Sequence, residues 1–426
     1  MIYDITTYGA KPGREFLCTQ AIQQAIDDCA NAGGGVVLIP AGDYLTGSLV
    51  LKSNVHLTIE NGATLYASHD PAHYTDLNGT INGARGFIFY ASDAHDITID
   101  GSGTVYGTGE ADFGGWWGLD IKLEFRIGML LFERCEHVVV DGVTFRNSDN
   151  WTLHFVQCEN VWLRGIRILG NIYHLNSDGV DPDSCRNFFI SDCLIRTGDD
   201  CICPKASVPG MPMENLVVTN CVLETPTTAI KLGTATSGDF RDMHFSNITI
   251  RNSCIGLGFY MKDGATIERV SFDNISIECS DDRADIKAII PIYMDIEKRH
   301  ADTPIGRIHD VTFSNIVIKS AYPSLIQGMP GGPIENVSLS NIIMRVPDVC
   351  KLANRVKQIG GGRSTPDDGR DTRFIRQNAY FAIAHTRGLT LSNFTVIREE
   401  KALQQEMTPV YLFDSPDAVI DRVRMR

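Results

Sequence analysis

NLVVTN at residues 215–220 returns as DMHFSN at 242–247, RVSFDN at 269–274, DVTFSN at 310–315 and NVSLSN at 336–341. Each copy alternates apolar and polar residues, as a strand with one buried face does, and each ends on a turn residue before a second short strand such as ITIRN or ISIEC. The phrase extends in both directions. DITIDG from Asp96, HVVVDG from His137, NVWLRG from Asn160 and NFFISD from Asn187 come before it, and GLTLSN from Gly388 comes after. Most intervals are about 23 to 30 residues, a period that reads as stacked coils. Helical periodicity is absent from the copies and the leucine-rich consensus is not matched, so equivalent strands pair in parallel from coil to coil. The expected fold is all-β, a parallel β-helix solenoid.

Two ladders support this register. Asn220, Asn247, Asn274, Asn315, Asn341 and Asn393 all fall at the turn position, where Asn tolerates a left-handed backbone and can hydrogen-bond its equivalents above and below. Cys135, Cys158 and Cys185 each sit three residues before the first apolar position of their copy. Thiols stacked one rung apart have nearly parallel Cβ vectors, a poor geometry for a disulfide. With no CxxC pair among the twelve cysteines, buried reduced thiols are expected, with no metal and no cofactor.

Working outward, VVLIP, YLTGSLVL, VHLTIE and ATLYAS from Val36 onward read as earlier coils. Before them, Tyr3 to Gly9 reads as a short strand ending in a Tyr-Gly-Ala turn. Residues 19–26 carry apolar positions at helical spacing, with Thr19 as the N-cap and Gly33-Gly34-Gly35 as the stop. Such a helix suits the terminal cap that an open repeat core requires. Residues 1–426 are therefore read as one domain, with 1–35 as N-terminal strand and cap helix and 36–426 as coils. A loop insertion is expected at about 346–380, around Gly360-Gly361-Gly362 and Pro366-Asp367-Asp368-Gly369.

A net charge of -14 argues against a phosphate-binding surface, because nucleic-acid binding rests on clustered Lys and Arg. No run of about 18 apolar residues is present to span a membrane. Met1-Ile2-Tyr3-Asp4 lacks the features of a signal peptide, so a native start here implies a cytoplasmic protein, and a trimmed leader a secreted one.

The chemistry concentrates in NSDGVDPDSCRNFFISDCLIRTGDDC, residues 176–201. Aligning Asp178-Gly179-Val180 with Asp200-Cys201-Ile202 points Val180 and Ile202 into the core and stacks Asp178 and Asp200 on neighbouring rungs, about 4.8 Å apart. Two carboxylates that close, with Asp199 and Asp181 beside them, repel each other and raise at least one pKa. Turn aspartates or a calcium site are the alternatives. Neither explains why Asp199 and Asp200 adjoin where Asp178 stacks. A pair able to hold and deprotonate a water, with a separate protonated acid, meets the needs of inverting glycoside hydrolysis.

On these residues the chain resembles family 28 of the glycoside hydrolases, the polygalacturonase group. The likeness covers nearly the whole length: Tyr8-Gly9-Ala10, AGGGVVLIPAGDYLTGSLVLKSNV, GSGTVYG, NWTLHFVQCENV, and above all NSDGVDPDSCRN and TGDDC, which are similar to the family's NTD and DD motifs. The resemblance implies a right-handed, single-stranded parallel β-helix. It also implies Asp199 as general acid, Asp178 and Asp200 as the pair sharing the water, and Asn176 as the residue orienting the cluster.

The sequence departs from the family at two points. Thr227-Thr228-Ala229 stands in place of Gly-His-Gly, so the family histidine is missing. Tyr260-Met261-Lys262 stands in place of Arg-Ile-Lys, keeping only the lysine. Tyr cannot fork onto a carboxylate as Arg does, which bears on whether the substrate carries uronate. Asp181, Lys205, Lys231, Tyr260 and Lys262 are substrate-contact candidates, and His174 is a candidate for a histidine lent to the site from another direction. Trp116-Trp117, in a Gly-rich loop, is a candidate sugar platform. His154, alternating with apolar neighbours, is expected to be structural.

The expected function is inverting, exo-acting hydrolysis of a pectin-like or related oligosaccharide or polysaccharide, with no nucleic-acid or membrane partner. The competing readings are a β-helix polysaccharide lyase or epimerase, and a non-catalytic carbohydrate-binding solenoid.

Overall fold

The structure is a computed structural model that describes residues 1–77, 84–110, 125–280, 289–350 and 377–426. Trp116 and Trp117, and most of the loop expected over 346–380, lie outside the described residues. The chain forms two compact units, Met1–Asp200 and Cys201–Arg426. Both are built of parallel strands wound as a β-helix, as the repeat predicts, and right-handed, as the family resemblance implies.

In the first unit the chain visits three columns of strands per coil. One column runs through Ile2–Asp4, Gly35–Ile39, Val55–Ile59, His95–Gly101, Glu136–Asp141, Glu159–Arg164 and Arg186–Ser191, each parallel to the next. A second runs from Gly13–Leu17 through Gly42–Thr46 and Ala63–Ala67 to Leu194–Arg196. The third carries the site. Among the described residues it comprises Leu49–Val50, Ala84–Ser92, Arg126–Glu133, Leu153–Val156 and Val180–Asp183.

Alternation decides which side chains of the third column fill the core. Leu130, Leu153 and Val180 are register partners pointing inward, as are Phe132, Phe155 and Pro182. Phe155 meets Phe132 edge-on at 5.8 Å and Phe188 at 5.2 Å. Each such ring or branched chain contributes about 1.5–3 kcal/mol by leaving water. The residues between them, Leu131, His154 and Asp181, occupy one outward row.

The cysteine ladder forms as expected. The Cys135 N–H donates to Cys158 Sγ at 3.4 Å and the Cys158 N–H to Cys185 Sγ at 3.3 Å. All three are free buried thiols, and burial pushes the Cys158 thiol well above its ordinary value.

The N-terminal region differs from expectation in three details. The expected strand over Tyr3 to Gly9 is a strand only at Ile2–Asp4, followed by a 3-10 turn Ile5–Tyr8 closed by Gly9 at φ 98°. The helix Thr19–Asn31 has Cys18, not Thr19, at its N-cap. The Thr19 hydroxyl instead accepts the Gly47 N–H at 2.7 Å, tying the helix to the coil it covers. The strand Gly13–Leu17 has four exposed residues and therefore no apolar alternation to betray it.

The second unit has longer strands. Phe240–Ser253, Thr266–Cys279, Arg307–Lys319 and Ile334–Val346 pair in parallel. Each merges the two short strands expected of a repeat into one, bent at the Asn. Asn247 lies inside Phe240–Ser253 at φ 55°. The first position of the phrase is left-handed as well: Asp242 at φ 55°, Arg269 at φ 54° and Asp310 at φ 56°. Asp tolerates this conformation better than most residues. Arg269 does not share that tolerance, but its guanidinium is held by Asp242 at 2.6 and 2.9 Å. Inside, Phe245, Phe272 and Phe313 stack at 4.7 and 5.2 Å.

Side-chain bonds run along the Asn ladder. Asn274 donates to Asn247 at 2.8 Å, Asn341 to Asn315 at 3.1 Å and Asn393 to Asn341 at 3.0 Å, while Asn315 turns to Asp273 at 2.8 Å. Asn247→Ala keeps a Cβ in the left-handed region but removes the side-chain amide that makes Asn tolerant of it, and is expected to cost about 1–2 kcal/mol. Asn247→Gly keeps the backbone and loses only the side-chain bond. Urea midpoints should therefore fall in the order wild type, Gly, Ala, and equal midpoints for the two variants would refute the backbone argument.

Candidate active site

The register derived from the sequence holds in the first unit. Asp178-Gly179 leads into the strand Val180–Asp183, whose partner is Leu153–Val156, with His154 beside Asp181 and Val156 beside Asp183. The Gly179 N–H donates to the Asp200 carbonyl at 2.9 Å. In a parallel ladder that bond makes Gly179 level with the residue after Asp200, so Asp178 and Asp200 are rung neighbours.

Asp199 is held differently. Its carboxylate accepts the Asp200 N–H at 3.0 Å, and the Thr197 hydroxyl donates to its carbonyl. Asp178, Asp181, Asp199 and Asp200 are 3, 0, 6 and 0 % exposed, so the acids are gathered out of bulk water.

The turn before Asp199 is shaped by Gly198. Its N–H donates to the Ser177 hydroxyl at 3.1 Å, and that hydroxyl in turn donates to the His174 carbonyl at 3.1 Å. A Cβ on Gly198 would lie 2.4 Å from the His174 carbonyl oxygen and 2.5 Å from that of Asn171, so only glycine lets these two turns close on each other.

Beneath the acids lies a group that sequence reasoning did not reach. Arg126, 1 % exposed, donates to Asn176 Oδ1 at 2.9 Å, to the Leu175 carbonyl at 2.6 Å and to the Asp149 carbonyl. Asp149 Oδ1 also takes His174 Nε2 at 2.9 Å, and its Oδ2 accepts the Ile127 N–H at 3.2 Å. Burial pulls the Arg126 pKa down, while the negative charges of Asp149, Asp178 and Asp199 act to keep the guanidinium charged. Burial opposes ionisation of Asp149, but its hydrogen bond from His174 and the charge of Arg126 outweigh that and hold its carboxyl below the usual range.

Asn176, expected to orient the cluster, sits on a left-handed backbone at φ 50° with its Oδ1 bonded to Arg126. His174 is placed underneath, bonded to Asp149. His154 is buried, stacked edge-on against Trp151 at 5.1 Å, with Nε2 4.0 Å from Asp183 Oδ2. A lone Arg in the buried stretch FRIGMLLF was the only trace of Arg126 in the sequence, and an isolated charge in a strand of this kind names no partner.

The second unit holds the remaining candidates. Thr228 and Tyr260, the two departures from the family motifs, meet each other: Thr228 Oγ1 and the Tyr260 hydroxyl lie 3.5 Å apart. Lys231 Nζ sits 5.5 Å from the centre of the Tyr260 ring, a cation–π contact. Lys205 Nζ donates to Cys203 Sγ at 2.7 Å.

Lys262 is fully buried against the equally buried Glu297, Nζ to Oε2 3.0 Å. Burial pulls the Lys262 pKa down, and the charge of Glu297 opposes this. Tyr293 adds hydrogen bonds to Asp295 at 2.7 Å and Glu297 at 3.3 Å. Asp295, Glu297 and Tyr293 were not anticipated; YMDIEK carries no motif that marks them.

A parallel β-helix with a knot of buried carboxylates where one coil begins its outer strand has the build of a carbohydrate-cleaving β-helix enzyme. The model for glycosyl hydrolases family 28 matches residues 29–358, and the chain belongs to that family. It is a glycoside hydrolase.

A probable polygalacturonase of Vitis vinifera is 27% identical over 82% of this chain and 75% of its own length. An exopolygalacturonase of Zea mays is 25% identical, over 76% of this chain and 78% of its own. Among solved structures, the family 28 exopolygalacturonase of Yersinia enterocolitica superposes with a TM-score of 0.75 at 20% identity, covering 99% of this chain and 78% of its own.

Proposed function

We propose that this chain is an inverting, exo-acting hydrolase of a pectin-like oligosaccharide, with Asp199 as general acid and Asp178 and Asp200 activating the water. The observation that carries the proposal is the Gly179 N–H bond to the Asp200 carbonyl, which puts two carboxylates on adjacent rungs while Asp199 is turned to a different partner. Repulsion among three buried carboxylates favours keeping one proton in the group, as a resting general acid requires. The neighbouring pair accepts the proton of a water bound between them. Attack then comes from the face opposite the leaving oxygen, and the configuration at the anomeric carbon inverts.

The exo mode and the substrate class draw support from relatives: proteins from Zea mays and Aspergillus niger carry the name exopolygalacturonase. The deciding measurement follows the anomeric protons of fresh products by NMR during cleavage of plant-derived oligosaccharides. The β-anomer appearing first from an α-linked substrate is the expected result. Retention of configuration, or an unsaturated product absorbing in the ultraviolet, would overturn the proposal, the latter in favour of a lyase.

A further inference from the structure

The outer face of the third column in the first unit is not an open floor. One outward row there runs Tyr90, Leu131, His154, Asp181, one residue per rung of about 4.8 Å. Continuing the register of Leu153 with Val180 back by two residues sets Trp151 beside Asp178. A polymer crossing this face would have to lie over Leu131 and Tyr90 after leaving the aspartates.

That path is filled by the chain itself. Ala84, Phe87 and Leu131 form an apolar cluster, with Leu77, Tyr90 and Val156 packed against it. Phe87 lies across Gly128, where a Cβ would come within 2.4 Å of the ring. The cluster is pinned at its edges. The Leu77 N–H donates to the Arg85 carbonyl at 2.9 Å, the Ser48 hydroxyl to the Phe87 carbonyl at 2.8 Å, and the Tyr90 hydroxyl to Glu133 at 2.9 Å.

We infer that this cluster is a plug that closes the substrate site on this side after one sugar residue, making the enzyme a releaser of monosaccharides. Between Leu131 and Asp181 there is one rung, that of His154, and one rung is close to the length of one pyranose. Trp151, half-buried beside Asp178 and braced edge-on by His154, supplies the apolar face against which that sugar stacks. Leu131 and Phe87 thus set the product length without touching the reacting atoms. The inference rests on the hydrolase reading above and goes further than exo action, which permits release of dimers as well.

The test is the size of the first products from purified oligogalacturonides of defined length, with a panel of neutral plant oligosaccharides run in parallel. The wild type is expected to give monosaccharide and a chain shorter by one, with no disaccharide in the first few per cent of turnover. Leu131→Ala and, independently, Phe87→Ala shorten the plug, and disaccharide should rise to at least a tenth of the early product in one of them. Disaccharide or internal fragments from the wild type would overturn the plug while leaving the hydrolase standing. Folded variants, checked by circular dichroism, that still release only monosaccharide would overturn it too. Absence of cleavage across the whole panel would remove both readings together.

Discussion

Asp199→Asn should lower kcat by about 10²- to 10⁴-fold, the range general acid catalysis contributes, with little change in KM. The substitution keeps the size of the side chain and an oxygen able to accept the Asp200 N–H, now at 3.0 Å, so the turn itself has no reason to move. On the proposed mechanism, what disappears is the proton for the leaving oxygen. A substrate whose leaving group departs without protonation, such as a glycosyl fluoride, should therefore recover most of the loss in Asp199→Asn.

The same substrate should do nothing for Asp178→Asn or Asp200→Asn, because activation of the water is still needed there. This split separates a proton donor from a residue that merely supports the fold, which would respond to both substrates alike. Wild-type rates in Asp199→Asn, or equal rescue of all three variants, would sink the assignment.

Arg126→Met is expected to be the most costly single change to stability, about 3–5 kcal/mol, because it strands the partners of a buried charge. Asp149 would keep His174 but lose its cation, and the carbonyls of Asp149 and Leu175 and the Oδ1 of Asn176 would lose their donor. Asp149→Asn should cost a similar amount, from the other side of the pair. The size of the effect can be read from urea or thermal unfolding.

The pH dependence adds an independent check. The folded Asp149 carboxyl is held below its usual range, because His174 and Arg126 outweigh the burial that would raise it. Its contribution is then fully present above the unfolded value of about 3.9 and is lost as pH falls through the lower folded value. The acid limb of the stability profile should accordingly be shallower in Asp149→Asn than in the wild type. An unchanged limb would mean that other carboxylates carry it.

Much of this molecule was legible because its repeat turns spacing into position. A coil of fixed period, with period-two alternation inside each strand, determines which residues point inward and which residues of successive coils lie side by side. That is why Asp178 and Asp200 could be paired from the sequence, and why the Asn and Cys ladders fell where expected. The same logic missed the left-handed residue that opens each phrase, since that position is Asp at 242 and 310, Asn at 160, His at 137 and Arg at 269. It also missed the strand Gly13–Leu17, which has no buried alternation to show.

What the sequence by itself determined, then, is the winding, the core rows and the meeting of the acids, because all three follow from short-range pattern repeated at a regular interval. Tertiary structure alone decided which buried side chains meet within each unit. Arg126 reaches Asn176 across 50 residues, Lys262 pairs with Glu297, and Phe87 lies over Gly128. Gly128 and Phe87 are register partners, and Lys262 and Glu297 directly follow the partners Met261 and Ile296, but the longer intervals between these strands in the sequence hide that register, and Asn176 lies in a turn whose course no period fixes. A buried charge, moreover, finds its partner through the shape of the whole enclosure rather than through any local motif.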